Sequence, residues 1–334
     1  MSLKVAICAN GSHAIGMGHL YRAVNLATNL RSEGIGEIAL FSQGDDQACA
    51  WLRGQDICAE ILSESDNNAA RLVQWLKANN PQVLVNDLLD TEVEYMRMIV
   101  GCAGRTINLD DNGPGALLAD YCINALPCRM RDLDGENNLQ GPRYQIISED
   151  FYPPQRRIVS AVPTSLLVTM GGSDTYGNTV LVAKALLTLR NIDRIEVVVG
   201  ASFQQGDELA QLVTKDPRFT VKRNVLSLGE RMRIHELAIV GGGITVFEAA
   251  ASALPTMSIA SEDFECQNIE WAQSQGITYA IGHRQSLSVE SIQQAVRDLL
   301  QDEKGRQKMA LMGPKVIDGK GRERIASLIK NLCN

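Results

Sequence analysis

The chain has 334 residues, of which 45% are hydrophobic and 21% charged, and its formal net charge is −7. This length supports a large buried core and predicts two domains. The negative charge argues against a general nucleic-acid-binding protein, whose surface is usually basic. It does not exclude an anionic small ligand, because the N-terminus of a helix attracts anions locally.

The cysteine and histidine content bears on metal sites and on the cellular compartment. Eight cysteines are scattered without a Cys-x-x-Cys pair, and the four histidines are spread along the chain. This spacing predicts no metal site and no disulfide framework, and it is typical of reduced thiols in a cytoplasmic protein. We expect no signal peptide, because the first residues lead directly into a predicted strand. No apolar stretch is long enough for a membrane-spanning helix.

In the first half of the chain, short apolar strands alternate with amphipathic helices. Strands are predicted at 4–9, 37–42, 59–62, 82–87, 105–109 and 121–125, and helices at 18–32, 45–53, 67–79 and 91–103. Strands that are apolar on both sides are typical of a parallel sheet covered on two faces. Polar side chains just beyond such strands, including Asp87, Asp110 and Asp111, are candidate functional residues. For Asp110 and Asp111 we favour a structural role in turn hydrogen bonds.

The first strand is followed by the motif Ile15-Gly-Met-Gly-His-Leu-Tyr-Arg22. Gly16 and Gly18 permit a tight turn and close approach of a ligand, and free N–H groups at the start of the next helix favour an anion. His19 lies at this helix start, and an imidazole is suited to proton transfer near neutral pH. A packing role for the glycines and a structural role for the histidine are equally open from the residues alone.

Residues 126–164 lack a regular hydrophobic period. We predict a surface loop, with a short strand at 144–147. Two consecutive prolines at 153 and 154, and another at 163, stiffen the chain and block regular structure. The domain boundary is therefore predicted at 153–163, between a domain of residues 1–155 and a domain of residues 160–334.

The second half of the chain restarts the alternation. Strands are predicted at 165–170, 195–199, 219–222, 237–240, 256–259 and 278–281, and the last helices at 287–301, 303–312 and 321–332. Asn178 is predicted to cap the helix that follows the strand at 165–170. The fold class is therefore α/β, with two doubly wound parallel-sheet domains and a ligand cleft expected between them.

Two strand–turn–helix units of the second half carry glycines, at 171–174 and 241–245. Each offers N–H groups and a helix N-terminus to a phosphate, and Ser173 and Thr245 add hydroxyl donors. Neither matches a P-loop or a complete G-x-G-x-x-G, which disfavours a P-loop ATPase and a nicotinamide dehydrogenase. Glu248 has two open roles, as the capping-box partner of Thr245 or as an acceptor for a ribose diol.

Together these motifs resemble the nucleotide-sugar hydrolases of pseudaminic acid biosynthesis, which release UDP from a UDP-linked diacetamido-trideoxy-altrose. The resemblance covers nearly the whole chain and extends to proteins of spore-coat polysaccharide synthesis. More distantly, it extends to the lipid-linked GlcNAc transferases of peptidoglycan assembly. It implies the two-domain, Rossmann-like GT-B fold. It rests on the order and spacing of 15–22, Asp87, 108–111, Tyr144, Phe151, 170–174, 241–248, Leu254-Pro255 and Gln267.

The resemblance implies that His19 is a general base, which deprotonates a water that attacks the anomeric carbon. UDP leaves from the opposite face, so the configuration inverts. The residues implied to bind the sugar are Gly16, Gly18, Arg22, Asp87, Cys266 and Gln267. Those implied to bind UDP are Gly171, Gly172, Ser173, Gly242, Gly243, Ile244, Thr245 and Glu248. No cofactor or metal is implied, and the expected partners are a UDP-sugar and other enzymes of surface-glycan biosynthesis.

The sequence departs from the pattern of these hydrolases in two places. The family often has Asp-His-Tyr after the fourth strand, where this chain has Asp87-Leu88-Leu89. It has Asn-Gln before a late helix, where this chain has Cys266-Gln267. Cys266 is interpreted either as an inert small residue or as a mildly activated thiol. The leading hypothesis is a hydrolase, and the alternatives are a GT-B glycosyltransferase with a UDP-sugar donor and a non-catalytic nucleotide-sugar-binding protein.

Overall fold

The computed structural model describes residues 4–12, 16–43, 46–55, 57, 59–62, 68–131, 135–152, 157–172, 174–200 and 203–333. The chain forms two compact units. The first unit comprises Met1–Ile147 and Lys320–Asn334, and the second comprises Ser148–Gly319.

The first unit is built on a parallel sheet. Its strands are β1 (Lys4–Ala9), β2 (Glu37–Gln43), β3 (Ala59–Leu62), β4 (Val83–Asp87), β5 (Arg105–Leu109), β6 (Tyr121–Asn124) and β7 (Asn138–Gln140). They lie in the order β3-β2-β1-β4-β5-β6-β7. The helices between them are α1 (Gly18–Ser32), α2 (Asp46–Arg53), α3 (Asn68–Asn79) and α4 (Val93–Ile99).

Alternate residues of β1 enter two hydrophobic clusters on opposite faces of this sheet. Val5 and Ile7 pack in one cluster with Leu20 of α1. Ala6 and Cys8 pack in the other, which also receives residues of α3 and α4. Since successive side chains of a strand point to opposite faces, this burial on both sides is what a covered parallel sheet requires. The prediction of a doubly covered parallel sheet is confirmed.

The end of the first sheet differs from the prediction. Residues 144–147 form no strand, and Pro142–Tyr144 instead forms one turn of 3-10 helix. Proline lacks the N–H that a sheet ladder needs, which favours a turn here. The last strand is β7, which pairs with β6 through residues that lack an apolar pattern. Its polar composition explains why the sequence did not reveal it.

The second unit repeats the architecture. Its strands are β8 (Ser165–Thr169), β9 (Arg194–Val199), β10 (Phe219–Arg223), β11 (Leu237–Gly241), β12 (Thr256–Ala260) and β13 (Tyr279–His283), in the order β10-β9-β8-β11-β12-β13. Its helices are α5 (Asn178–Leu186), α6 (Gly206–Val213), α7 (Leu228–Ile234), α8 (Ile244–Ala251), α9 (Asp263–Ser274), α10 (Val289–Gln301) and α11 (Glu303–Val316). Helix α11 continues past its predicted end and contains Pro314.

Each sheet has one point where the strand order reverses. In the first sheet it lies between β1 and β4, and in the second between β8 and β11. Loops that leave neighbouring strands on opposite sides of such a point create a crevice at the carboxyl ends, where ligands of doubly wound folds bind. The motifs at 16–19, 171–174 and 241–245 all follow one of these four strands.

The last helix, α12 (Gly321–Cys333), corrects the predicted domain boundary. It belongs to the first unit, although the sequence assigned residues 160–334 to the second domain. Ile325, Ala326 and Ile329 are buried in the same cluster as β1 and α1. Burial of this apolar side drives the helix back onto the first unit. The boundary between the units also lies earlier, at 147–148 rather than at 153–163.

Replacing Ile329 by alanine is expected to lower the free energy of unfolding by about 2–5 kcal/mol, because it deletes a buried side chain from the first unit's core. Ser327→Ala, on the exposed side of the same helix, is the matched control and should change it by less than about 0.5 kcal/mol. Urea unfolding followed by circular dichroism measures both variants. Equal stability of the two would contradict the packing of α12 on the first unit.

Candidate active site

The turn before α1 brings His19 to the carboxyl end of the first sheet. Gly16 has φ +83°, a left-handed conformation that favours glycine, and its carbonyl accepts a hydrogen bond from the Ser12 N–H at 3.1 Å. Gly18 is the first residue of α1 and His19 the second. Ile15 lies outside the described residues. The His19 side chain is 15% exposed, so the fold holds it and leaves part of the ring accessible.

His19 is paired with the carboxylate at the end of β4. Its Nδ1 lies 2.7 Å from Oδ1 of Asp87, a residue that is 1% exposed. Nδ1 is also 3.4 Å from Nη2 of Arg22, a longer contact between two nitrogens. An ionised carboxylate can only accept, so the neutral ring carries its proton on Nδ1 and donates it to Asp87. The other ring nitrogen, Nε2, is then free to accept a proton.

Arg22 lies one helical turn after His19 and holds the Asp87 carboxylate in place. Its Nε donates to Oδ2 of Asp87 at 2.7 Å, and its Nη2 donates to Oδ1 of the same residue. Its Nη1 donates to Oδ2 of Asp110, which follows β5. Burial alone would raise the pKa of Asp87, but the charge of Arg22 and the proximity of His19 lower that pKa to about 2. The same carboxylates raise the pKa of Arg22.

Asp110 and Asp111 have the structural role that the sequence analysis favoured. Oδ1 of Asp110 accepts the N–H groups of Ala125 and Leu126, at 2.7 and 2.9 Å. Oδ1 of Asp111 accepts the N–H groups of Thr91 and Gly113, both at 2.9 Å. These bonds tie the loops after β4, β5 and β6 together. The ion pair of Asp110 with Arg22 is an additional role, which the sequence did not suggest.

A second buried chain of hydrogen bonds starts at the other oxygen of Asp111. Nδ2 of Asn108 donates to Oδ2 of Asp111 at 2.6 Å. Nδ2 of Asn86 donates to Oδ1 of Asn108 at 3.0 Å, and the hydroxyl of Tyr95 donates to Oδ1 of Asn86 at 3.1 Å. Asn86 and Asn108 are register partners on β4 and β5, which brings their amides together. Tyr95 thereby connects the interior of the sheet to the surface near His19.

A pocket of about 380 Å³ opens beside His19 in the first unit. Its lining combines polar groups with an apolar wall made by Leu88 and Leu89. These leucines occupy the positions where the resembled family has His and Tyr. The full lining consists of Asn10, His19, Asp87, Leu88, Leu89, Thr91, Glu92 and Tyr95.

The first-unit residues predicted to bind the sugar differ in how far they are free to contact a ligand in this pocket. Arg22 is 3% exposed, and its side chain is used by Asp87 and Asp110. Asp87 lines the pocket, but both of its oxygens already accept hydrogen bonds. Their surroundings therefore favour a role in holding His19 over direct contact with a ligand. Gly16 and Gly18 are half-buried in the turn that precedes His19.

In the second unit, the two glycine-rich turns lie side by side because β8 pairs with β11. Gly171 has φ +85°, and a side chain at this position would begin 3.9 Å from Oγ1 of Thr245. Gly172 precedes Ser173, which lies outside the described residues. Gly242 is buried, and Gly243 is half-buried. The structure thus brings the predicted UDP-binding glycines of both turns to one edge of the second sheet.

The start of α5 is capped by Asp174, which corrects the prediction for Asn178. Oδ1 of Asp174 accepts the N–H of Asn178 at 2.9 Å, and its Oδ2 accepts the N–H of Thr179 at 2.8 Å. Asn178 is itself the first helical residue, and its Nδ2 donates to Oγ of Ser261. A carboxylate has two acceptor oxygens and a negative charge, whereas an amide has one acceptor oxygen and no charge. This explains why Asp174, and not Asn178, caps the start of α5.

The capping-box interpretation of Thr245 and Glu248 is wrong. Helix α8 begins at Ile244 after Gly243, and no side chain caps its first turn. Thr245 is therefore inside the helix, where its hydroxyl bonds the Glu248 carboxyl. Burial and the nearby Asp150 raise the pKa of Glu248 to about 8, although the Thr245 hydrogen bond opposes the shift. At neutral pH Glu248 is thus largely a neutral acid that can both donate and accept.

Cys266 and Gln267 lie in the first turns of α9. Burial and the carboxylates of Glu270, Asp263 and Glu265 raise the pKa of the Cys266 thiol. The activated-thiol hypothesis is therefore wrong, because a thiolate needs positive rather than negative neighbours. Gln267 is exposed. The residues that line the pocket beside His19 all belong to the first unit, so Cys266 and Gln267 are not among them.

No family model matches the sequence. An uncharacterized protein of Methanocaldococcus jannaschii is 28% identical over 79% of this chain, and this chain spans 57% of that relative's length. The spore coat polysaccharide biosynthesis protein SpsG of Bacillus subtilis is 21% identical over 99% of this chain and 98% of its own length.

Solved structures match the whole chain. MurG of Acinetobacter baumannii has a TM-score of 0.69 at 14% identity, with 98% of this chain and 99% of MurG covered. The spinosyn rhamnosyltransferase SpnG, complexed with spinosyn aglycone, also has 0.69 at 14% identity, covering 99% and 100%. S. aureus MnaA with UDP has 0.66 at 13% identity, covering 99% and 97%. The chain has the GT-B fold.

Two further features of the described residues concern membrane-spanning helices and metal-binding groups of side chains. None of the helices in the described residues is both long and apolar enough to cross a membrane. Nor do the described residues contain a group of three or more His, Cys, Asp or Glu side chains that could hold a metal ion.

Sequence reasoning found His19 and Asp87 but missed how they are held. Asn108 lies in the motif 108–111 and Asn86 precedes Asp87, but neither was assigned to a hydrogen-bond network, and Tyr95 carried no motif. Two asparagines in otherwise apolar strands are nevertheless unusual enough to suggest a buried polar network. Glu92 also went unnoticed, because it is the residue before a short helix and resembles a solvated helix start.

Replacing Arg22 by methionine is expected to lower the free energy of unfolding by about 3–5 kcal/mol, because it leaves two buried carboxylates without their cation. Arg97→Met, at an exposed position of α4, is the matched control, with an expected change below about 0.5 kcal/mol. Urea unfolding at pH 7 compares the two. A loss of less than about 1 kcal/mol for Arg22→Met would contradict an ionised Asp87–Arg22–Asp110 cluster.

Proposed function

We propose that this chain hydrolyses a UDP-linked amino sugar at the anomeric carbon with inversion, and that His19 is the general base. The observation that carries the proposal is the 2.7 Å pair of His19 Nδ1 with Asp87 Oδ1 beside an open pocket. This pair leaves Nε2 as the ring nitrogen that can accept a proton, and the His19 side chain is 15% exposed. A water held near Nε2 would lose its proton to it while attacking the sugar.

The surroundings of His19 suit a base that becomes positively charged during the reaction. As Nε2 takes a proton, the imidazolium forms next to the Asp87 carboxylate, which stabilises it. Asp87 does not need to take the proton itself, because the charge of Arg22 keeps its pKa at about 2. Arg22 and Asp110 thus act through Asp87 and are positioning residues.

The nucleotide half of the proposal concerns the second unit. Gly242 and Gly243 directly precede α8, and its N-cap Gly243 makes no side-chain hydrogen bond to the first turn. A glycine-rich turn before a helix N-terminus is the usual chemistry for a diphosphate. Donors there would stabilise the charge that develops on the leaving phosphate. MnaA, a solved structure with the same fold, contains UDP, and SpsG functions in polysaccharide biosynthesis by its name. The first supports UDP as the nucleotide, and the second supports a role with sugars.

Glycosyl transfer is the second candidate function. A base at Nε2 can deprotonate an alcohol as well as water, and SpnG is a rhamnosyltransferase solved with its aglycone. The pocket of about 380 Å³ beside His19 has room for an acceptor group. UDP release without any acceptor distinguishes hydrolysis from transfer.

We expect His19→Asn to reduce UDP release by about 10²–10⁴-fold, because asparagine cannot take the proton from water. UDP affinity, measured by calorimetry, should stay unchanged in this variant. Asp87→Asn should also slow UDP release, because an amide can present its N–H to the ring and favour the wrong tautomer. Full turnover of His19→Asn would remove this residue from the mechanism, and release that requires an added acceptor would favour the transferase.

Glu248 offers a separate test of the nucleotide site. Because its pKa is about 8, Glu248→Gln preserves both the neutral state and the hydrogen-bonding capacity at pH 7. We expect Gln to retain the UDP affinity and Ala to weaken it by about 0.5–1.5 kcal/mol, the contribution of one neutral hydrogen bond. Calorimetric titration with UDP measures both. Unchanged affinity in Glu248→Ala would exclude contact with the ribose.

A further inference from the structure

The directions of the buried hydrogen bonds fix what the pocket offers to a ligand. The Asp111 carboxylate can only accept, so Asn108 must donate to it through Nδ2. The Oδ1 of Asn108 then accepts from Asn86, and Oδ1 of Asn86 accepts from the Tyr95 hydroxyl. The proton of Tyr95 is therefore committed inwards. Toward the pocket its oxygen can therefore only accept, through a lone pair that the neighbouring Cys8 thiol does not use.

The hydroxyl proton of Thr91 is also used in a buried hydrogen bond. Its hydroxyl donates to Oδ2 of Asp111 at 2.5 Å, so its Oγ1 also presents lone pairs only. His19 donates Nδ1–H to Asp87 and presents Nε2 as an acceptor. Glu92, at the pocket rim, adds a carboxylate. Four side chains of the lining thus offer acceptors to a ligand.

Asn10 is the exception among the polar side chains that line this pocket. Its Oδ1 accepts the Gln43 N–H at 2.9 Å, which leaves its Nδ2 as a donor. A ligand that fits this lining must therefore carry more donors than acceptors. Phosphate and carboxylate groups do not meet this condition, because they only accept when ionised.

The charges around the pocket favour the same kind of ligand. Asp87 and Asp110 share the single positive charge of Arg22, so this cluster keeps a net negative charge. Glu92 adds another, and within the described part of the chain no cation pairs with it. The neighbouring Asp90 is neutralised by Arg129 at 2.8 Å. The pocket therefore has an unbalanced carboxylate beside a set of acceptors.

We propose that this pocket receives a protonated amino group, so that the sugar cleaved carries at least one unmodified amine, with Glu92 as its counter-charge. An ammonium offers three donors and no acceptor, which matches the lining. Acetylation would remove the charge and add a carbonyl acceptor. Leu88 and Leu89 would cover the apolar face of the ring. This inference rests on the proposed function and names the substrate class of the same site.

The test measures binding separately from turnover. Glucosamine, N-acetylglucosamine and glucose are titrated into the UDP-saturated protein at a pH where the amine is protonated, with NMR shifts as the readout. We expect glucosamine to bind at least about tenfold more tightly than the other two. Glu92→Gln should abolish this preference. Glu94→Gln removes an exposed carboxylate of α4 that does not line the pocket; it is the matched control and should retain the preference.

Equal or tighter binding of N-acetylglucosamine would overturn the inference, and so would a glucosamine preference that survives Glu92→Gln. The corresponding UDP-sugars, assayed for UDP release, test the proposed function on their own. If none is cleaved but glucosamine binds selectively through Glu92, hydrolysis fails while the amine site stands. If UDP-N-acetylglucosamine is cleaved faster than UDP-glucosamine, hydrolysis stands and the amine site fails.

Discussion

One buried guanidinium organises the first unit's site. Arg22 is 3% exposed and bonds the carboxylates that end β4 and follow β5. Removing three charged groups from water costs desolvation free energy. The attraction between the guanidinium and the two carboxylates offsets that cost only while all three groups are present. The arrangement fixes Asp87 as an ionised acceptor, and Asp87 in turn fixes the ring of His19. Stability and chemistry in this unit therefore depend on the same contacts.

The fold concentrates polar groups where the strand order reverses. Strands β1, β4 and β5 are buried apart from the first residues of β1 and β5, so their few buried polar side chains must satisfy one another or a ligand. Asp111 accepts the hydrogen bonds of the Thr91 hydroxyl and of the Asn108 amide. Because these donors are used by Asp111, Thr91 and Tyr95 can offer only acceptors to the pocket. The substrate preference we infer therefore depends on Asp111 as well as on the side chains that line the pocket, although Asp111 is not part of the lining.

Much of the fold could be predicted from the sequence, because apolar strands, amphipathic helices and glycine-rich turns are local features. The partners of Arg22 could not, since they lie 65 and 88 residues away along the chain. Strand β7 and the return of α12 were missed for a similar reason. The polar composition of β7 gave no strand pattern. The apolar side of α12 could pack on the core of either unit, and the sequence around the helix does not show which.

The central claim is that Asp87 makes His19 present Nε2 as an acceptor. Nitrogen NMR of the ¹⁵N-histidine-labelled protein tests it most directly, with the His19→Asn spectrum used to assign the ring signals. At a pH where the ring is neutral, we expect a protonated Nδ1 and an unprotonated Nε2, and Asp87→Asn should change this balance. A proton on Nε2 of the unaltered protein would contradict the account.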